Sequence, residues 1–278
     1  MHTIELPDAK ITRYIPADLS ECNSAEYIDM CELIFRYHNQ EIDYNQFRVH
    51  AVYKLMNLKK TKERVDDEDK FANIYQVSEL IDSFFEEVNG TRTIKQYYIH
   101  NPVPKFKPTF TNLYGPADSF MDMTFGEYRE ALRLFHDFHA SGNMHLLVLL
   151  ATVFYRKKKP FHFIKKQLSS YDGNCRVPFN SALLEQNSKQ LKYAPIGFVY
   201  GFYLLFASFQ KYLTDAKILW AGKEIDLSIL FDGGSADQES DLPGIGMDSI
   251  AFTMAESGAF GNIKEVDKTN FWVFMIKM

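Results

Sequence analysis

The chain has 278 residues, a net charge of −5 and 15% aromatic residues, including 24 Phe and 16 Tyr. This length suffices for one large domain or two smaller ones, and the acidic balance excludes a global attraction to nucleic acid or to an anionic membrane. The three cysteines are scattered and none forms a C-x-x-C pair, which excludes a disulfide framework or a zinc knuckle. We expect a reducing compartment and no signal peptide, because the first residues lack an apolar segment.

Residues 1–100 are predicted to form an N-terminal helical part that begins with an extended arm over residues 3–15. Capping-box patterns at Asn23 and Asp43 predict the starts of two helices, and a third is predicted from about Lys70 to Val88. The apolar side chains of this third helix are expected to face inward: Phe71, Ile74, Val77, Ile81, Phe84 and Phe85.

A change of composition follows the third predicted helix. Asn89-Gly90 is expected to stop that helix, and residues 92–100 are rich in residues that favour β-strands. Residues 101–118 contain four prolines and cannot form a regular helix, so they are predicted to be an extended connector. The connector is the expected boundary between the N-terminal part and a C-terminal helical part over residues 119–278.

The C-terminal part begins with a second helical hairpin. Thr124 and Glu127 form another capping-box pattern, Ser141-Gly142-Asn143 predicts a turn, and a strongly apolar helix follows from His145 to Tyr155. The first hairpin follows the same plan, so an internal duplication is a hypothesis, although capped helical hairpins are common.

The stretch from Ala194 to Leu213 is apolar on nearly all sides and is predicted to be a buried central helix. Its apolar part, Ala194 to Phe209, is shorter than the roughly 20 residues that a bilayer span needs. Gly197 and Gly201 are interpreted as packing notches that let another backbone approach closely. A membrane-associated adapter that uses residues 194–213 stays open as an alternative.

The last third combines a loop with short helices. Residues 232–246 have the composition of a mobile loop, with Asp232, Asp237 and Asp241 as candidate partner contacts. A helix is predicted from Met247 to Glu256. Asp267 or Thr269 is expected to cap a final helix. The fold class is therefore predicted to be mainly α, with helical hairpins packed around a central apolar helix and short extended segments.

The concentrated basic patch of the chain lies at residues 156–166. Basic residues interleaved with aromatic ones can bind single-stranded nucleic acid, which leaves a nucleic-acid-binding protein open as an alternative. An acidic partner protein could use the same patch. The candidate partner-binding residues here are Arg156, Lys157, Lys158, Lys159, Phe161 and Phe163.

No catalytic constellation is visible in the sequence. Ser residues lack a G-x-S-x-G context, and Gly222-Lys223 lacks the other features of a P-loop. His136, His139 and His145 are candidate metal ligands without an H-E-x-x-H motif, and they are interpreted as histidines that suit helix ends. We expect no enzyme, no cofactor and no metal, with a non-obvious enzymatic site as a remaining rival.

A resemblance is carried by several segments taken together: Thr124-Phe-Gly-Glu-Tyr128, Val153-Phe-Tyr-Arg156, Ala255-Glu-Ser-Gly-Ala-Phe-Gly261 after Gly246-Met-Asp-Ser249, and Ser24-Ala-Glu-Tyr27 after Ile15-Pro16. Together they resemble small structural or tail-assembly proteins of tailed bacteriophages. The resemblance implies a non-enzymatic protein of the virion or host cytoplasm, at the head–tail junction or tail, or a factor for their assembly. Its expected partners are other virion or assembly proteins, including copies of itself in a ring, rather than nucleic acid or membrane.

Overall fold

The described chain is mainly α-helical, as the sequence predicts. The computed structural model describes residues 1–6, 11–58, 67–168, 171, 173–215, 217–220, 223–226 and 245–277. Its helices are α1 (Ser24–His38), α2 (Tyr44–Leu55), α3 (Asp67–Ser78), α4 (Phe125–Ser141), α5 (Met144–Phe154), α6 (His162–Lys165), α7 (Leu184–Ser188), α8 (Ile196–Asp215), α9 (Ile245–Glu256), α10 (Ile263–Lys268) and α11 (Phe271–Lys277).

Short antiparallel hairpins account for the strands. The pairs are β1 (His2–Leu6) with β2 (Ile11–Ile15), β3 (Phe85–Val88) with β4 (Thr91–Ile94), β5 (Lys105–Phe106) with β6 (Leu113–Tyr114), and β7 (Lys217–Trp220) with β8 (Lys223–Asp226). The predicted extended arm over residues 3–15 is thus a hairpin, with His2 opposite Ile15. In the last hairpin Trp220 is opposite Lys223, and residues 221 and 222 are outside the described chain.

The prediction of one helix from Lys70 to Val88 is wrong in its second half. The helix α3 ends at Ser78, a 3-10 helix covers Glu79–Phe84, and the chain then becomes strand β3. Asn89 and Gly90 have φ angles of 52° and 76° and form the turn to β4. Asn-Gly is the preferred pair for a two-residue hairpin turn, because both positions need positive φ. The dipeptide therefore marks a hairpin here and not a helix end.

The inward-facing residues predicted for this region are only partly correct. Ile81, Phe84 and Phe85 are buried, whereas Phe71 is 63% exposed. Two residues of the predicted set, Ile74 and Val77, are half-buried. The helix α3 therefore leaves two aromatic side chains exposed, Phe71 and Tyr75.

The chain divides into two compact units. The first unit contains residues 1–98 and 195–204, and the second contains residues 99–194 and 205–278. The α1–α2 hairpin belongs to the first unit, and the α4–α5 hairpin belongs to the second.

The Pro-rich segment predicted as a connector is packed within the second unit. It forms the β5–β6 hairpin and buries Val103 and Leu113. The side-chain amide of Asn101 donates to the Pro116 carbonyl at 2.8 Å, and its oxygen accepts from the Val103 N–H at 3.0 Å. These bonds satisfy polar groups that the prolines leave without partners in regular structure.

Helix α8 confirms the prediction of a buried helix at Pro195 to Leu213. In the first unit it buries Phe198, Val199 and Phe202, and in the second it buries Phe206, Phe209 and Leu213. Among the described residues, no helix meets the length and apolarity needed to cross a membrane.

The glycines of α8 are packing notches, as predicted. A methyl group at Gly197 would overlap the Ile28 carbonyl oxygen and lie 2.9 Å from the Glu32 nitrogen. At Gly201 it would lie 2.8 Å from the Tyr27 ring. These contacts place α8 directly against the backbone of α1 within the first unit.

The C-terminal helices agree with the predictions except at one cap. Helix α9 contains the predicted helix from Met247 to Glu256. The last helix, α11, is capped by Asn270, whose side-chain oxygen accepts from the N–H groups of Trp272 and Val273 at 3.0 and 3.3 Å. The predicted caps, Asp267 and Thr269, were therefore wrong. Of the predicted loop 232–246, residues 232–244 lie outside the described residues, and with them Asp232, Asp237 and Asp241.

Candidate partner-binding surfaces

The predicted basic patch is divided by the fold into one buried arginine and an exposed segment. Arg156 is only 7% exposed and forms an ion pair with Glu127, which is 1% exposed. Its guanidinium also donates to the Val153 carbonyl. Burial lowers the pKa of Arg156, and the charge of Glu127 opposes that shift. Arg156 thus belongs to the core and is not part of an accessible binding surface.

A second arginine completes this buried network. Arg176 is fully buried, and its guanidinium lies 3.0 Å from an Asp122 carboxylate oxygen and 3.7 Å from the second oxygen of Glu127. It also donates to the Phe154 carbonyl at 2.9 Å. Two buried cations therefore share two carboxylates, which avoids leaving an uncompensated buried charge.

The network lies directly beneath the exposed segment. The backbone of Arg156 pairs with Tyr114, and Lys158 pairs with Arg176. The Lys159 N–H donates to the Cys175 carbonyl at 2.8 Å, and the Val177 N–H donates to the Lys157 carbonyl at 2.9 Å. These backbone bonds fix residues 156–159, and the chain after Lys159 extends from this fixed base.

Residues 157–168, here called the lysine–phenylalanine segment, present apolar side chains to solvent between lysines. Phe161 and Phe163 are each 69% exposed, Ile164 is 50% exposed and Leu168 is 55% exposed. The exposed lysines are Lys157, Lys158, Lys165 and Lys166. Four of the predicted binding residues, Lys157, Lys158, Phe161 and Phe163, are thus brought together on this segment, and Lys159 is half-buried at its base.

The sequence of this segment and its neighbours is locally basic. The sequence contains no Asp or Glu between Asp137 and Asp172, and none between residues 99 and 117. The ammonium groups of Lys158 and Lys105 lie 5.2 and 6.0 Å from the centre of the Tyr114 ring. A chain with a negative total charge therefore carries a local basic region, which a net-charge argument cannot detect.

The three histidines considered as metal ligands are not brought together as a site. His145 pairs with Glu185 at 3.1 Å, and the His139 ring packs on Phe135 with centroids 4.6 Å apart. Burial lowers the pKa of His136. Across the described ranges, no group of three or more His, Cys, Asp or Glu residues is placed to hold a metal ion.

Two of the cysteines, Cys22 and Cys31, lack the features of a nucleophile. All three are free, and Cys22 and Cys31 are buried. Burial raises the pKa of both thiols, with nearby acidic groups adding to the effect at Cys22. Because the thiolate is the reactive form, neither group is activated.

A second surface, which the sequence did not predict, lies in the first unit. It consists of aromatic rings and guanidinium groups in contact with one another. Phe71 stacks on Tyr75 with centroids 6.2 Å apart, and the Arg48 guanidinium lies 5.2 Å from the Tyr75 ring centre. We call this set the tyrosine–arginine ladder, and in spatial order its members are Phe71, Tyr75, Arg48, Tyr44 and Arg92.

The ladder is fixed from below. Arg48 is buried, lies 5.4 Å from the Tyr44 ring centre and pairs with Asp82 at 3.3 Å. The exposed Arg92 guanidinium lies 4.0 Å from the centre of the same Tyr44 ring. The Tyr44 hydroxyl donates to Asp82 at 2.5 Å. Stacked cations and rings attract each other, and Asp82 contacts both Arg48 and the Tyr44 hydroxyl, so direct contacts organise this part of the ladder.

A sequence signal for the ladder exists in retrospect. Tyr44 and Arg48 are four residues apart on α2, and Phe71 and Tyr75 are four apart on α3, which places each pair on one helix face. The apolar periodicity of α3 was interpreted as a core face because Phe71 fits it. Arg92 comes from β4 and could not be connected to α2 without the fold.

No family model, curated protein or solved structure matches the chain.

Proposed function

We propose that this chain is a non-enzymatic assembly protein that acts through protein–protein contacts. The class we propose is the one implied by the sequence resemblance, a virion component at the head–tail junction or tail of a tailed bacteriophage, or a factor for its assembly. The observation that carries the proposal is the tyrosine–arginine ladder with its exposed end at Phe71.

The composition of the ladder is that of an energetic centre of a protein interface. Tyr, Phe and Arg are enriched in such interfaces, and a few of them supply most of the binding free energy. Preorganised side chains lose less conformational entropy on binding than mobile ones. Because the guanidinium of Arg48 holds two rings, the ladder meets this condition before a partner arrives.

The surroundings of the ladder also suit a protein partner. The Tyr97 hydroxyl donates to the Glu86 carboxylate at 2.7 Å, and Tyr97 is 66% exposed. Glu86 and Glu87 of β3 are opposite Thr93 and Arg92 of β4, so acceptors and both signs of charge lie around Arg92, as in the polar rim of an interface.

The test is to co-express the full chain with the products of the genes that flank it and to measure complex mass by size exclusion with light scattering. The chain alone is measured in parallel for self-association. We expect a defined complex or a homo-oligomer, which Phe71→Ser and Arg92→Ala weaken by about thirtyfold or more, the effect of losing an interface hot spot.

The matched control is Phe252→Ser, which removes an exposed phenylalanine from α9 in the other unit. It should leave the complex intact. A chain that remains monomeric alone and binds no flanking gene product, or a complex that Phe71→Ser does not affect, would contradict the proposal.

A further inference from the structure

The apolar side chains of the lysine–phenylalanine segment form a second unusual surface. Within eight residues, Phe161, Phe163, Ile164 and Leu168 are all at least half exposed. Scattered single apolar residues are normal on protein surfaces, but a cluster of this kind marks an interaction site. Phe161 also has a φ of 54°, a conformation that bulky residues rarely adopt.

The arginines and lysines of this region differ in burial. Both of its arginines, Arg156 and Arg176, are buried and engaged with Glu127 and Asp122. The exposed cations are therefore lysines, which act as point charges without the fork geometry that lets a guanidinium recognise a single phosphate or carboxylate. Such charges suit an anionic surface without a fixed pattern of acceptors.

The residue types of the lysine–phenylalanine segment distinguish between three possible binding partners: a protein, a single-stranded nucleic acid and a lipid bilayer. Protein interfaces are enriched in Arg and Tyr and depleted in Lys. Single-stranded nucleic acid stacks on ring faces and guanidinium groups, which Ile164 and Leu168 do not offer. Lysines beside Phe and Leu are the composition of segments that lie in the interface of an anionic bilayer.

We infer that residues 157–168 dock on an anionic lipid bilayer. The side chains of Phe161, Phe163, Ile164 and Leu168 enter the boundary between headgroups and acyl chains. The ammonium groups of Lys157, Lys158, Lys165 and Lys166 lie against the lipid phosphates. The segment lies on the surface and does not span the membrane, and its base is held by the backbone bonds of Lys157 and Lys159. This inference does not depend on the tyrosine–arginine ladder.

The experiment is co-sedimentation of the full chain with vesicles of phosphatidylcholine, with and without about 30% phosphatidylserine. We expect binding to the anionic vesicles that falls at least tenfold between about 0.1 M and about 0.5 M salt, because salt screens surface charges. Lys165→Gln with Lys166→Gln should weaken binding about 25-fold, about fivefold for each cation near the leaflet. Phe161→Ser with Phe163→Ser should weaken it about tenfold or more through lost apolar burial.

Two controls match these variants. Lys264→Gln with Lys268→Gln removes two exposed lysines from α10. Phe252→Ser removes an exposed phenylalanine from α9. Neither should change vesicle binding, and neither should Phe71→Ser, which tests the proposed protein interface. Circular dichroism verifies that every variant is folded.

The inference is overturned if the chain ignores anionic vesicles, or if the control variants reduce binding as much as the segment variants do. Binding to an oligothymidylate that Lys165→Gln with Lys166→Gln abolishes, without binding to vesicles, would assign the segment to single-stranded nucleic acid instead. Binding to vesicles that is unaffected by Phe161→Ser with Phe163→Ser would also overturn it, because no apolar side chain would then enter the bilayer.

Discussion

Helices α1 and α4 begin with the same local arrangement. Asn23 and Thr124 cap them, Glu26 and Glu127 close the two capping boxes, and Tyr27 and Tyr128 follow. In each case the glutamate accepts from the cap N–H at 2.9 Å. Each tyrosine is buried and donates to α8 within its own unit, Tyr27 to the Gly201 carbonyl at 2.7 Å and Tyr128 to the Gln210 side chain at 3.1 Å.

The two hairpins differ in what lies behind this arrangement. In the first unit the contact with α8 is close, because Gly197 and Gly201 have no side chain to keep the backbones apart. In the second unit rings fill the space, with Phe120 and Phe209 centroids 4.5 Å apart and Tyr128 and Phe271 centroids 4.4 Å apart. A shared start does not fix how a helix packs.

The glutamates differ even more. Glu26 is half-buried and serves the cap, whereas Glu127 serves the cap and also lies between Arg156 and Arg176. The comparison teaches that a capping box predicts where a helix begins but not whether its carboxylate is also a buried counterion. That second role depends on Arg156 and Arg176, which come from other elements.

The largest expected effect comes from neutralising the buried carboxylate. Glu127→Gln leaves two buried guanidinium groups with one fewer counterion and should lower the free energy of unfolding by about 3–5 kcal/mol. Glu26→Gln is the matched control and should cost less than about 0.5 kcal/mol, because Gln also completes a capping box. Urea unfolding followed by circular dichroism measures both, and equal costs would contradict a counterion role for Glu127.

Much of the fold could be predicted because its signals are local. The boxes at Asn23, Asp43 and Thr124, and the left-handed Gly142 after α4, depend on residues within one turn of each other. Apolar content alone identified α8 as buried. The prediction of a helix was wrong after Ser78. Apolar residues keep helical spacing there, but the chain forms a 3-10 helix and a strand that tertiary packing stabilises.

The candidate surfaces were less predictable than the fold. The lysines and phenylalanines of residues 157–168 are adjacent in sequence, so their pattern was visible. The burial of Arg156 was not, because its partner Glu127 is 29 positions away. The ladder joins α2, α3 and β4, and no local pattern reports that Arg92 lies on the ring of Tyr44.

The next largest effect tests the close contact in the first unit. Gly197→Ala should lower the free energy of unfolding by about 1–3 kcal/mol, because the new methyl group meets the α1 backbone at Ile28 and Glu32, which cannot move aside. Gly201→Ala should cost less, since it meets the side chains of Tyr27 and Cys31. In an exposed helix the same change would stabilise by up to about 1 kcal/mol. The sign of the change in the free energy of unfolding therefore shows whether Gly197 packs closely against α1.

A comparable effect is expected at Tyr27 and a smaller one at Tyr128. Tyr27→Phe removes bonds to the Gly201 carbonyl and the Tyr98 hydroxyl, which lies 2.7 Å away, and should cost about 1–3 kcal/mol. Tyr128→Phe removes one bond to Gln210 and should cost about 1 kcal/mol. Burial raises the pKa of both phenols, so neither cost should change between neutral pH and mildly alkaline pH. Thermal unfolding of both variants at two pH values checks the order and its independence of pH.

The smallest difference is expected at the caps themselves. Asn23→Ala and Thr124→Ala should each cost about 1 kcal/mol, because each removes the side-chain acceptor for N–H groups of the first helical turn. Asn23 should cost slightly more, since its oxygen accepts from both Ala25 and Glu26, at 2.9 and 3.1 Å, whereas Thr124 accepts from Glu127 alone at 3.3 Å. Urea unfolding of the two variants measures this. If the two cap substitutions cost nearly the same free energy while the two glutamate substitutions differ widely, the difference between the hairpins lies in their tertiary partners. A much larger cost for Thr124→Ala would instead place that difference in the first helical turn.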